Sequence, residues 1–304
     1  MGSFKRQFEI RTGDDQPLLD DFLALWKPAG FDAGDDGLRL AIRNNYLNFY
    51  YRGQSVAKVS YGRRDDISAK VHVRYIDPNR KDQSYETIQS NNYSGKKELL
   101  TWIKNTVDHC GKEKIFVDKL VHKNPNVIDL EMALPFDPRV KLIACNEDSK
   151  NKDKKVALRM DLVALEQISS VWTIVFWEAK MVKNPEARCS GQDLPKVDCQ
   201  LKNYAAWVEL NKANLIKQYR KNCELLVKFH ERALTLRHGI EPLGEGIIAV
   251  ANGATLDLDP RPRLIIDNQI PSKSFEPHRA KLRAAGFHVQ LVEKDGKYAF
   301  EPQQ

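Results

Sequence analysis

Two segments near the start of the chain, residues 38–51 and 55–61, carry the dense β-branched and aromatic runs of strands. Arg52-Gly53-Gln54 between them reads as a hairpin turn, and residues 71–76 form a third predicted strand, stopped by Asp77-Pro78-Asn79. After the polar stretch 91–95 the hydrophobic period changes. Leu99, Leu100, Trp102, Ile103 and Val107 fall at helical spacing. Asn124-Pro125 has the form of an N-cap followed by proline in the first turn, which predicts a short helix over 127–134. Strands are then expected over 140–145, 156–165 and 171–177, and helices over 199–210 and 215–236. The chain closes with strands at 246–250 and 263–267, a helix at 276–285 and a strand at 289–293. From residue 96 onward this order predicts an α/β domain (96–304) on a mixed central sheet flanked by helices. A strand-rich N-terminal domain (1–95) precedes it.

The richest pattern lies in the two middle strands. In residues 156–165 (VALRMDLVAL), Arg159 and Asp161 share one face with apolar residues on either side. A carboxylate in the middle of such a strand is costly unless it is paired or holds a metal, so Asp161 is either a partner of Arg159 or a ligand. The next strand is apolar on both faces and is expected to be central; it runs directly into Glu178-Ala179-Lys180. Glu178 and Lys180 point the same way, with the Ala179 carbonyl between them. Two carboxylates and a carbonyl make an all-oxygen set suited to Mg²⁺, with Mn²⁺ as a substitute. A lysine beside the ion could position or deprotonate a water attacking phosphorus. With a symmetric turn near Ile168, however, Asp161 would face residue 175, three positions from Glu178. A bulge or an asymmetric loop is then needed to bring the carboxylates together.

Asp161 followed by Glu178-x-Lys180 at the end of an apolar strand resembles the signature of the PD-(D/E)xK nuclease superfamily. Gln200-x-x-x-Tyr204, on one face of the following helix, is similar to the motif of its RecB-like branch. Met160 stands where the motif has proline, and no Cys-x-x-Cys follows Tyr204, so the iron–sulfur cluster of some RecB-like nucleases is not expected. The resemblance implies a restriction-endonuclease-like core and a Mg²⁺-dependent deoxyribonuclease acting in restriction, phage defence or DNA processing. Asp161, Glu178, Lys180, Gln200 and Tyr204 would be catalytic, and Asp161, Glu178 and the Ala179 carbonyl would be the metal ligands. Glu131, placed on the predicted helix before the meander, would be an additional acidic ligand. The alternatives are a catalytically inactive DNA-binding or assembly module that keeps the nuclease fold, and an RNA-cutting nuclease. Taken alone, Gln200 and Tyr204 also suit a plain helix surface and a core-edge tyrosine.

Charge adds a location rather than a function. Lys plus Arg number 48 against 41 Asp plus Glu, a formal +7 on 304 residues that permits a polyanionic partner without demanding one. Residues 201–240, however, hold eight Lys or Arg against three Glu, interleaved with Tyr204, Trp207, Tyr219 and Phe229. Lys202, Lys212, Lys217, Arg220 and Lys221 are therefore candidate contacts to a DNA backbone, unless they form an ordinary solvated helix face. The lysines at 150, 152, 154 and 155 form a further basic loop. The first 95 residues lie outside the resemblance; they could choose the substrate, recruit a protein partner or form a homodimer. No apolar run approaches the roughly 18 residues of a membrane helix, and no secretory h-region stands at the N-terminus. Five scattered cysteines without a Cys-x-x-Cys pair suggest free thiols and a cytoplasmic protein.

Overall fold

The computed structural model describes residues 4–9, 16–62, 66–141, 143, 158–191, 193–270, 275–294 and 296–302. The chain is mixed α/β, with one antiparallel and one mixed sheet. It divides into two compact units, one of Lys5–Ile128 with Tyr219–Ala254, the other of Met1–Phe4, Asp129–Gln218 and Thr255–Gln304.

The first unit contains a five-stranded antiparallel sheet in sequence order: β1 (Arg39–Ile42), β2 (Leu47–Tyr51), β3 (Gln54–Tyr61), β4 (Ile67–His72) and β5 (Tyr85–Gln89). The expected strand at 38–51 is thus two strands, reversed by a turn in which Arg43 N–H bonds the Tyr46 carbonyl and Asn45 takes a φ of 62°. The β2–β3 hairpin falls at the predicted place, with Arg52 and Gly53 both at positive φ. Residues 71–76 do not continue as a strand. The chain turns into the short helix α2 (Val73–Ile76), where His72 Nδ1 accepts the Arg74 N–H. Helices α1 (Pro17–Leu25), α3 (Lys96–Thr106) and α4 (Lys112–Lys123) complete the N-terminal part of the unit. α3 presents Leu99, Trp102, Ile103 and Thr106 to the core, and Glu98 bonds back to Ser94 N–H in the manner of a capping box. Trp102 and Phe49 both pack on Phe22, with ring centroids 6.4 and 4.6 Å away. Those contacts tie α3 to the N-terminal sheet, so the compact units do not divide at the expected boundary of 95/96.

The second unit is built on a six-stranded mixed sheet ordered β11-β10-β8-β7-β6, with β9 also paired to β8. Here β6 is Val127–Ala133, β7 Arg159–Ile168, β8 Val171–Met181, β9 Leu256–Leu258, β10 Arg263–Asp267 and β11 Val289–Val292. β7 and β8 are antiparallel, whereas β9 and β10 run parallel to β8 and β11 runs parallel to β10. As its sequence implied, β8 is central and buried along nearly its whole length. β6 corrects two expectations. The segment 127–134 is a strand, not a helix, because Asn124-Pro125 closes α4 instead of opening a new helix: Asn124 Nδ2 bonds the Leu120 carbonyl. The first strand of the meander is therefore β6. Val140, Lys141 and Ile143 lie outside any strand, and residues 142, 144 and 145, like 150–155, fall outside the described residues.

The two helices expected over 199–236 are one, α5 (Lys196–Leu236), because the polar stretch 211–214 contains neither Gly nor Pro to stop it. Residues 246–250 form α6 (Glu245–Ala251) rather than a strand; Asn126 Oδ1 accepts the Gly246 N–H at its start. Helix α7 (Glu276–Ala284) matches expectation. Among the cysteines, Cys110, Cys189 and Cys223 are free, but Cys199 is disulfide-bonded, so the expectation of free thiols does not hold throughout. No helix among the described residues is long and apolar enough to cross a membrane.

Candidate functional site

Strand pairing brings the two carboxylates together. β7 and β8 pair from Ile168↔Val171 to Leu162↔Trp177, joined by the two-residue turn Ser169-Ser170 with φ of 48° and 67°. Positive φ at both central positions is the geometry of a type I′ hairpin, whose twist matches that of the strands. Continuing the register by one step sets Asp161 opposite Glu178, on the same face of the sheet. No bulge is needed, because β7 runs on to Ile168 and the loop is shorter than the sequence suggested. The backbone ladder gives way at this point to a side-chain bond: Asp161 Oδ2 accepts the Ala179 N–H at 2.8 Å. The N–H and carbonyl of one strand residue face the same neighbour, so the Ala179 carbonyl is directed to the Asp161 side.

Around this pair the side chains form a connected network. Glu178 and Lys180 are both buried, and Lys180 Nζ lies 2.7 Å from Glu178 Oε1. The same ammonium is 3.2 Å from Glu186 Oε2. Glu186 sits in the turn Pro185–Ala187, where its own N–H donates to Asn184 Oδ1. Sequence reasoning missed Glu186, since no periodicity or motif spacing connects a loop carboxylate to the strand before it. From α5, Gln200 Nε2 donates to Glu178 Oε1 at 3.0 Å and to the Tyr204 hydroxyl. Tyr204 is 1% exposed and donates in turn to the Arg159 carbonyl. The i, i+4 spacing of Gln200 and Tyr204 thus spans from the end of β8 to the start of β7. Arg159 does not pair with Asp161. Its guanidinium is 3.5 Å from Glu131 Oε2, and Glu131 stands on β6 with a φ of 50°, not on a helix.

The electrostatics of the pair are those of two crowded, buried carboxylates. Burial, followed by the negative charge of Glu178, raises the proton affinity of Asp161 well above the ordinary carboxylate range; Glu131 adds to the effect, while Lys180 and the Ala179 N–H oppose it. Burial and the Glu178 charge also push the Tyr204 hydroxyl upward, so it stays a neutral donor. Two like charges on hard oxygen ligands, held on adjacent strands, suit a divalent cation of the Mg²⁺ type. Among the described residues no group of three or more His, Cys, Asp or Glu side chains is arranged to hold an ion. Any such ion would therefore rest on two carboxylates, a backbone carbonyl and water.

The basic candidates on α5 are largely engaged elsewhere. Lys202 pairs with Asp198 at 2.8 Å and Lys212 with Asp257 at 3.0 Å. Arg220 donates to the Val250 and Ala254 carbonyls, where it closes the C-terminal end of α6. Of the five, Lys202, Lys217 and Lys221 are exposed, and Lys212 and Arg220 are half-buried. The excess of positive charge along α5 is thus in good part structural.

Replacing Tyr204 by phenylalanine should cost about 1–3 kcal/mol of stability, because the Arg159 carbonyl loses its donor in a buried setting. Urea unfolding of the variant beside the wild type measures it, and an unchanged midpoint would show that the hydroxyl contributes nothing.

No family model, curated protein or solved structure matches this chain.

Proposed function

We propose that the chain is a Mg²⁺-dependent deoxyribonuclease of the PD-(D/E)xK type, RecB-like branch, built on a restriction-endonuclease-like core. The observation that carries this proposal is the β7–β8 register, which sets Asp161 opposite Glu178 with Lys180 beside them. The hydrogen bond from Gln200 to Glu178 supports it, since the motif on α5 reaches the same carboxylate.

Asp161, Glu178 and the Ala179 carbonyl would hold Mg²⁺, which when bound supplies a Lewis acid and lowers the pKa of a coordinated water. The protein's own groups have separable tasks. Asp161 is fixed by the Ala179 N–H, and Glu178 by Gln200 and Lys180. Lys180, held by two carboxylates, fits a cation that orients an attacking water or a phosphate oxygen. Tyr204 anchors Gln200 to the backbone of β7 and so limits its motion. Glu131, engaged with Arg159, would act through its charge on the site.

The test is incubation of the purified chain with linear, circular and single-stranded DNA, and with RNA, in Mg²⁺ or Mn²⁺ and in EDTA. Metal-dependent loss of DNA is the expected result. If every substrate stays intact in both metals, the nuclease assignment fails; cleavage of RNA alone would replace DNA by RNA as the substrate.

A further inference from the structure

A second concave surface lies entirely within the unit that contains Lys5–Ile128. α2, the turn after it and the end of α3 border a cavity of about 750 Å³. Its wall carries Arg74, Arg80, Lys81 and Lys104 against one carboxylate, Asp108, with His109 at the same rim. Arg80 is committed to Asp82 and Glu86, at 3.0 and 3.1 Å. Asp77, at the start of the turn, is taken up by Asn79.

Arg74, Lys81 and Lys104 differ from Arg80 in that none is ion-paired with a carboxylate among the described residues. Arg74 Nη2 donates to the Lys81 carbonyl at 2.7 Å, which pins the turn against α2, while its Nε is buried and has no acceptor. Lys81 and Lys104 are exposed. Three cations around one hollow repel one another, and a ligand bearing several negative charges relieves that repulsion.

A run of rings leads away from the cavity. The His109 ring is 5.4 Å from Tyr75 and 6.5 Å from His72, and His72 is 5.2 Å from Tyr85. Tyr85 opens the edge strand β5 and is 56% exposed, with Lys70 over its ring at 5.5 Å. Cations beside the exposed rings of His109 and Tyr85 make the pairing that takes phosphates on one side and a base on the other.

We propose that this cavity binds the phosphates of a nucleotide ligand, with the rings from His109 to Tyr85 taking its base. The phosphates could come from a single nucleic-acid strand or from a free nucleoside triphosphate. The site draws on no residue of the candidate metal site, so it stands or falls separately from the nuclease proposal.

The test uses the full chain in EDTA, where the metal site cannot act. Binding of a fluorescein-labelled dT12 is read by anisotropy, and binding of ATP by calorimetry. Wild type is compared with Lys81→Gln/Lys104→Gln and with Tyr85→Ala, all surface changes, whose folding is checked by circular dichroism. The double lysine variant is expected to weaken the bound probe about tenfold near 0.1 M salt. For dT12 it should also lower the slope of log K against log salt by roughly 1.4, the share of two phosphate contacts on a single strand. Tyr85→Ala should weaken binding several-fold without altering that slope. Binding of dT12 with ATP bound at least a hundredfold more weakly identifies a strand; comparable binding of ATP identifies a free nucleotide. If neither probe binds, or if the lysine variant binds both as well as wild type does, the proposal is overturned.

Discussion

Asp161→Asn should reduce metal-dependent cleavage on the order of a thousandfold while leaving the chain folded. Asparagine keeps an oxygen to accept the Ala179 N–H, so the join between β7 and β8 survives. What it loses is the charge. On the proposed function, removing one of two anionic ligands would forfeit several kcal/mol of metal-held stabilisation, and about 4 kcal/mol corresponds to a factor of a thousand in rate. Stability supplies a readout independent of cleavage. The folded state raises the proton affinity of Asp161 above its value in the unfolded chain, so the folded form binds more protons through that interval. Without metal, Asp161 therefore costs stability as pH climbs from the unfolded carboxylate value of about 3.9 through the raised folded value. The asparagine variant should lack this loss and melt higher than wild type at neutral pH in EDTA, with the difference vanishing in acid. Mg²⁺ at a hundredfold excess over its Kd would then stabilise wild type by about 2.7 kcal/mol and leave the variant unmoved. Thermal melts across pH 4–8, with and without Mg²⁺, test both signs; identical curves for the two proteins would remove Asp161 from the site.

Glu166→Ala should destabilise the chain by about 3–5 kcal/mol, the cost of leaving a buried cation without its partner. Arg263 is 0% exposed and lies against the face of the sheet opposite to the Asp161–Glu178 pair, over the Trp177 ring at 5.4 Å. Its Nη1 is 2.6 Å from Glu166 Oε2, and Trp177 Nε1 donates to the other oxygen of the same carboxylate at 3.3 Å. The only other carboxylate paired with it among the described residues is Asp259, 3.6 Å from Nη2. Truncating Glu166 strands the guanidinium and the indole N–H together. Replacing both partners by apolar residues, Glu166→Leu with Arg263→Met, should recover most of the loss, since burying no charge is cheaper than burying an unpaired one. Urea unfolding distinguishes the outcomes: a loss under 1 kcal/mol for Glu166→Ala would mean that water or Asp259 already satisfies Arg263.

The central strand and the placing of Glu178 and Lys180 at its end were legible because both are local. An apolar run that reads as buried on both faces, followed by Glu-x-Lys, needs no knowledge of its partners, and β8 lies where that run placed it. Gln200 and Tyr204 were legible for the same reason, as an i, i+4 pair on a helix. Features set by distant contacts were not. Asn124-Pro125 has the composition of a helix start, yet the Asn124 side chain bonds the preceding helix and the following residues enter a sheet. The break expected within α5 failed for lack of any residue to stop it, and Glu186 reaches Lys180 from a loop whose course no pattern encodes. Charge was the least legible quantity of all: counting basic residues on α5 could not foresee that Lys202, Lys212 and Arg220 already have protein partners.

The turn Ser169-Ser170 limits how a sequence that keeps this site can vary. The two carboxylates lie at the far ends of the hairpin it closes, so its length sets their alignment as a ruler sets a mark. Slipping the pairing by one residue would send Glu178 and Lys180 to the Trp177 face and leave Asp161 alone on its own. Slipping by two would restore the face but displace the carboxylates by about 7 Å, too far to share one small ion. Sequences that keep Asp, Glu and Lys but change the span between the first two should therefore carry a compensating bulge, or have lost the site. Seventeen positions apart along the chain but directly across the hairpin, the pair is conditioned by a loop that touches neither of its members.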